Sequence, residues 1–206
     1  MNNPLQKMTN EELWALFPII LSEHRAEWTK FYEQEKDTII SALGTKNISR
    51  INHIGSTSVP GLIAKPTIDI LLEIPTDADI PSLTAALISA GYICNTQPNN
   101  PAPHLMFMKG YTPQGFRGQA VHLHVRFPGD WDELYFRDYL RSHPETAKSY
   151  GKLTFNSAMN MIGMPTPRPK PTLSKRPLVW PERKWETNTL HRQRLYKQRD
   201  SVKYHL

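Results

Sequence analysis

Cysteine occurs once in these 206 residues, at Cys94, so no disulfide can form within the chain, and a reducing cytoplasm is the expected compartment. Following Gly91-Tyr92, that thiol is expected to be a small buried filler. Long hydrophobic runs are also lacking. The nearest candidate, Leu13 to Leu21, is interrupted by Pro18 and preceded by Glu11 and Glu12, which gives it neither the length of a membrane span nor the basic flank of a secretory signal. No membrane partner is therefore expected. Thr9 and Glu12 have the spacing of a helix capping box instead, and Pro18 marks a kink or a stop. No internal repeat divides the chain, whose length suits one domain with a real core.

Excess positive charge is absent from most of the sequence. Of 25 Lys and Arg and 19 Asp and Glu, residues 1–153 hold 14 and 16, leaving 11 and 3 for the remainder, so the formal charge of +6 belongs to the last stretch alone. With prolines at 165, 167, 169, 171, 177 and 181, that stretch cannot run as one helix, and its sparse apolar residues show no period. Two regions follow: a folded domain over 1–153 and a basic, proline-rich tail over 154–206 that is expected to be disordered. Trp180, Trp185 and Tyr196 would let such a tail stack on bases while its cations meet phosphates. Nucleic acid is expected as a partner only through this tail.

The most informative stretch is HIGSTSVPGLIAKPTIDILLE, His53 to Glu73. Gly55-Ser56 follows an apolar run, and Asp69 then opens a second one continued by Ile70, Leu71, Leu72 and Ile74. A Gly-Ser turn lets backbone approach a phosphate and offers N–H and hydroxyl donors to its oxygens. A carboxylate beside it can hold a cation that neutralises a transferring group. Ser56 and Ser58 are candidate donors, or caps of the turn, while His53 reads best as a hydrogen-bonded structural histidine. Lys65 could meet a phosphate as a compact charge and Arg117 as a planar fork, the alternative for each being a solvated loop cation.

The string HIGSTSVPGLIAKPTIDI, with Trp28, Phe31 and Glu35 before it and HLHV at 122–125 and FRDYLRSHPE at 136–145 after it, resembles the GrpB family. That resemblance covers about the first three quarters of the chain. It implies a nucleotidyltransferase-like α+β fold, a nucleotide or phosphorylated small molecule as ligand, a divalent metal ion (Mg, Mn or Zn), and a nucleoside triphosphate as the possible substrate. It does not carry an established reaction, and fold alone does not supply one. Active transferases of this type usually carry a second acid two residues after the first, on the same strand face. Here that position is Leu71. Glu73 shares the face but lies roughly 13 Å from Asp69 along a strand, whereas paired catalytic metals sit about 3.5–4 Å apart.

Ala120 to Phe127 alternates, with Val121, Leu123, Val125 and Phe127 on one face and His122, His124 and Arg126 on the other. The two imidazoles are then about 6.6 Å apart along the strand. If that face adjoins Asp69, two histidines and a carboxylate would favour Zn, Mn or Fe over Mg; otherwise they lie on a solvated sheet face or bind an anion directly. Arg137 and Arg141, at i, i+4 on a helix, read by default as solvated charge.

The coarse order is helix, helix (28–43), strand (48–54), Gly-Ser turn, strand (67–74), helix (81–90), strand (104–109), a hairpin loop over 109–119, strand (119–127), helix (130–141) and helix (144–153). This order predicts helices packed on a small mixed sheet. The resemblance further implies a helical ending similar to DREAYTEAKTDFI, which is missing. Asn160 to Lys175 can be written in permitted codons whose shifted frame reads YDRDAYTEAKTDFIK, so a frame change near Leu153 is expected to have replaced the ending. Two functional classes result: a metal-assisted nucleotidyl or phosphoryl transferase using Asp69, Ser56 and Lys65, and a binding module that kept the phosphate cradle without catalysis.

Overall fold

The structure, a computed structural model, describes residues 4–95 and 103–161. Thr9 caps α1 (Asn10–Leu16) with the expected reciprocal box, Glu12 reaching back to the Thr9 N–H at 2.8 Å. α2 (Glu27–Leu43) buries Trp28, Tyr32, Ile39 and Leu43, which recur at helical spacing on one face, and ends at Gly44 with φ +75°. Asp79 caps α3 (Ile80–Ser89) by accepting from the Ser82 N–H.

Five strands form one mixed sheet: β1 (Arg50–Ile54), β2 (Thr67–Glu73), β3 (Ile93–Asn95), β4 (Leu105–Thr112) and β5 (Gly115–Arg126), in the spatial order β1-β2-β5-β4-β3. β2 is antiparallel to β1 and parallel to β5, and the other pairs are antiparallel. Central position explains the sequence of β2. Ile68, Ile70, Leu71 and Leu72 are all fully buried, as a strand covered on both faces requires. Ile68, Ile70 and Leu72 join Val121, Leu123, Val125 and Phe107 in the main core beneath α2 and α3. Each such side chain contributes on the order of 1.5–3 kcal/mol.

The opposite face carries the polar residues in rows set by the register. Ile54, Asp69, His122 and Met108 form one row, Asn52, Leu71, His124 and Met106 the next, and Arg50, Glu73 and Arg126 a third. α4 (Asp132–Ser142) and α5 (Pro144–Met161) follow, and Leu140 and Ala147 pack with Val59 and Leu62.

Three expectations need correction. The segment 109–119 is not a long hairpin loop: β4 runs to Thr112 and β5 starts at Gly115, leaving Pro113-Gln114 as the turn. Gly110 serves strand pairing, since a Cβ on it, at a register shift in β4, would lie 2.6 Å from the Gln119 carbonyl oxygen. β3 was not expected as a strand, because it is three residues long. The last helix does not stop at Leu153 but continues to Met161. The expected disordered tail and the frame-changed ending lie, from residue 162 onward, outside the described residues. Among the described residues no helix is long and apolar enough to cross a membrane.

Candidate functional site

Asp69 sits where β1 ends and the Gly-Ser turn begins, because Ile54 pairs with it across the antiparallel ladder. Gly55 then turns away with φ +70° and ψ −177°, and Ser56–Ser58 form a single 3-10 turn. A Cβ at Gly55 would stand 2.5 Å from Asp69 Oδ2. The glycine is therefore needed both for its backbone conformation and for the space the carboxylate occupies.

On its other side Asp69 meets β5. Oδ1 lies 3.4 Å from His122 Nδ1 and 3.7 Å from His124 Nε2, so the histidine face does adjoin the acid. Burial by itself would raise the Asp69 pKa; the two imidazoles outweigh it and hold the carboxyl well below the usual carboxylate range. Lys65 is half-buried, with its ammonium 5.8 Å from the centre of the Phe116 ring. Burial lowers its pKa while the charge of Asp69 opposes the shift, which puts the ammonium within electrostatic reach of the acid.

The remaining candidates divide. Ser56 is half-exposed at the start of the turn. Ser58 is buried, and its hydroxyl donates to the Gly55 carbonyl oxygen at 2.6 Å, which makes it a brace of the turn. Arg117 is exposed, and no contact with Asp69, His122 or His124 is found for it among the described residues. His53 is structural as expected: it stacks on Tyr32 with centroids 4.8 Å apart, and burial lowers its pKa to about 4. Thr57 Oγ1 donates to the Thr67 carbonyl oxygen at 2.9 Å, so the 3.1 Å contact from His53 Nε2 is a donated N–H.

Glu73 does not supplement Asp69. It is 1% exposed and accepts from the Arg50 guanidinium, the Gly129 N–H at 3.0 Å and Trp131 Nε1–H at 3.0 Å. Leu71, at the position of the absent second acid, is fully buried and has His124 as its lateral neighbour. Glu35 accepts from the Tyr92 hydroxyl at 2.6 Å and from Lys109 at 2.7 Å, tying α2 to the far strands.

Two features were missed by sequence reasoning. Arg137 and Arg141 are not merely solvated charge: Arg137 donates to the His53 carbonyl oxygen at 2.9 Å, and Arg141, though exposed, makes two bonds, of 2.9 and 2.7 Å, to the Ser58 carbonyl oxygen. Their i, i+4 spacing was the available signal, and it reports a clamp on the Gly-Ser turn. Tyr111 is the second. Its hydroxyl lies 2.7 Å from His122 Nε2 and its ring stacks on the imidazole at 17°. Burial pushes that hydroxyl up to about 12, so it stays protonated at neutral pH.

Two imidazoles and a carboxylate suit a borderline divalent ion in kind. On an ion with ligand bonds of about 2.0–2.1 Å, tetrahedral ligands stand about 3.3–3.4 Å apart, near the two separations at Asp69. The His122 and His124 ring centroids are 6.5 Å apart, however, and among the described residues no three His, Cys, Asp or Glu side chains converge as a metal-binding group. The donor set fits the ion chemically and is more open than a filled site.

Comparison with known proteins places this arrangement. Residues 18–164 match the family model described as GrpB protein. The chain belongs to the GrpB family. The match continues past Leu153 to residue 164. A UPF0157 protein of Pseudomonas aeruginosa is 40% identical over 127 residues, covering 61% of this chain and 51% of that protein. The glutamate-rich protein GrpB of Alkalihalophilus pseudofirmus is 29% identical over 143 residues, covering 68% and 81% respectively. The crystal structure of GrpB from Enterococcus faecalis is similar with a TM-score of 0.57 and 28% identity, over 68% of this chain and 85% of that one. The chain spans about half the length of the Pseudomonas relative and 37% of a Bacillus subtilis one, YqkA.

Proposed function

We propose that this GrpB-family chain binds a nucleotide or a phosphorylated small molecule at the Gly55-Ser56 turn and transfers its nucleotidyl or phosphoryl group with the help of one divalent cation. The observation that carries the reading is the meeting of three parts at Asp69: the glycine backbone against Oδ2, and His122 and His124 against Oδ1. The Ser56 hydroxyl and those N–H groups at the start of the turn that are not bonded back within it donate to phosphate oxygens, and the Lys65 ammonium balances charge that develops on the transferring group. Asp69, His122 and His124 would hold the cation, which supplies Lewis-acid charge to a phosphoryl oxygen. In the transfer, the acceptor oxygen forms a bond to phosphorus as the bond from phosphorus to the leaving phosphate oxygen breaks, with the electron pair going to the leaving group.

A specific observation favours a second reading. Leu71 is sealed in the fold, so a second cation has no carboxylate of its own on β2, and the site would then recognise phosphate without turning it over. The experiment is a thermal-shift screen of the chain and of Asp69→Asn against nucleoside mono-, di- and triphosphates with Mg, Mn or Zn, followed by product analysis. A ligand at 100 times its Kd adds about 2.7 kcal/mol of stability. The transferase reading expects a cation-dependent nucleotide shift and turnover, both lost in Asp69→Asn. A shift without turnover gives the binding reading, and no shift with any nucleotide removes the nucleotide as the ligand in both.

A further inference from the structure

Phe116, at the start of β5, is 42% exposed although two aromatic rings hold it. Phe17 meets it at 5.1 Å and 67°, and Tyr111 at 5.3 Å and 59°, so the orientation of the ring is fixed before any ligand arrives. Asp69 is reached from this ring by two routes. Tyr111 stacks in turn on His122, the imidazole beside Asp69 Oδ1. The Lys65 ammonium stands over the Phe116 ring at 5.8 Å, near the outer limit of about 6 Å for a cation held by a ring, and it also feels the charge of Asp69. The chain leaving Phe17 soon reaches Ser22, which pairs with Ala64, the neighbour of Lys65, through bonds of 2.9 and 3.0 Å. Between them lie Ile19 and Ile20, 39% and 63% exposed. Exposed apolar surface is thus carried beside the candidate phosphate site, where a ligand made only of phosphate and hydroxyl groups has no use for it.

We propose that Phe116 is the platform for the base of a nucleotide, which stacks on its ring while the Lys65 ammonium moves from the ring to the phosphates at the Gly55-Ser56 turn. This rests on the phosphate reading of that turn given above, and it narrows the ligand from a phosphorylated small molecule to a nucleoside phosphate. Three properties suit a base. Its planar face stacks on an aromatic side chain whatever its hydrogen-bonding edge. The Phe116 ring is already held by Phe17 and Tyr111, so binding costs little side-chain freedom. The long, flexible stem of Lys65 lets one charge serve the ring in the empty site and the phosphates in the filled one. A sugar phosphate, by contrast, offers the ring no planar partner.

The test is isothermal titration calorimetry of the chain with ATP and with inorganic triphosphate, both in the presence of Mg, which compares the same phosphates with and without a base. ATP is expected to bind about tenfold or more tightly than triphosphate, the gain from one stacked base. Phe116→Leu, which keeps apolar bulk against Phe17 and Tyr111, should lose that gain and leave triphosphate affinity unchanged, whereas Phe116→Trp should retain it. Equal affinity of the unaltered chain for the two probes, or a gain that survives in Phe116→Leu, overturns the platform and leaves the phosphate site standing. Binding of neither probe overturns the phosphate site, and the platform with it. If Phe116→Leu does not fold, the unaltered chain decides through NMR with ring-labelled phenylalanine. Proton contacts are expected between the base of bound ATP and a ring whose signal disappears in Phe116→Tyr, and their absence overturns the proposal.

Discussion

Gly55 and Asp69 occupy one another's space: the glycine's missing Cβ would stand 2.5 Å from Oδ2 and 3.1 Å from the Asp69 Cβ. The conformation of Gly55, φ +70° and ψ −177°, is one that only glycine adopts readily, at a cost of about 1–3 kcal/mol for other residues. Gly55→Ala is expected to lose that amount plus the cost of displacing the carboxylate. In an Asp69→Ala background the second part should largely vanish, and a double-mutant cycle by urea denaturation measures it. Equal losses in both backgrounds would mean the carboxylate yields freely.

Glu73 is expected to matter to stability and not to ligand binding. Glu73→Gln sets an amide against the donors of Arg50, Gly129 and Trp131 in a position that is 1% exposed. Since the Arg50 side chain is half-exposed, the loss should be about 2–3 kcal/mol, below that for a fully buried pair. Chemical denaturation checks the loss, and an unchanged nucleotide or cation response of the folded variant checks the separation of roles.

Arg141→Met removes two donors from the Ser58 carbonyl oxygen. The guanidinium is partly exposed, so a stability loss of about 1–2 kcal/mol is expected. The local effect should be larger. Amide hydrogen exchange of Ser58 and Val59, whose N–H groups bond back to Gly55 and Ser56, should quicken while the β2 amides stay protected.

His53 gives the fold an acid limit. Its pKa is lowered by burial from 6.5 to about 4, so below pH 6.5 the unfolded chain binds a proton that the folded one refuses. Its contribution is fully present above pH 6.5 and is lost as pH falls towards 4, by about 3 kcal/mol at most. Stability measured against pH should fall through this window and flatten in His53→Phe, which keeps the ring against Tyr32. A slope unchanged in the variant would assign the acid sensitivity elsewhere.

What could be read from the sequence was whatever lies within one strand or helix. Alternation in residues 120–127 put His122 and His124 on one face, and the Gly-Ser turn with its acid marked the candidate site, because these patterns repeat over a few residues. The mixed sheet with packed helices followed from element order. That the histidine face adjoins Asp69 could be stated only as a condition, since parallel pairing of β2 with β5 is a contact between distant segments. The loop reading of 109–119 failed because glycine marks turns and tight strand pairing alike, and it hid Tyr111 on β4. Arg137 and Arg141 were misread for a related reason: charge on a helix is normally solvated, and only the packed arrangement shows that their targets are backbone carbonyls, His53 in β1 and Ser58 in the turn.

The two acids of β2, four positions apart on one face, differ in how far their neighbours commit them. Glu73 is committed to holding the strand's end to the segment that leads into α4, whereas Asp69 has neighbours that can exchange protons or ligands with it. The strand can therefore tolerate change at one end without losing its shape: substitutions around Asp69 would alter the polar face while the anchor at Glu73 preserves the architecture that presents it.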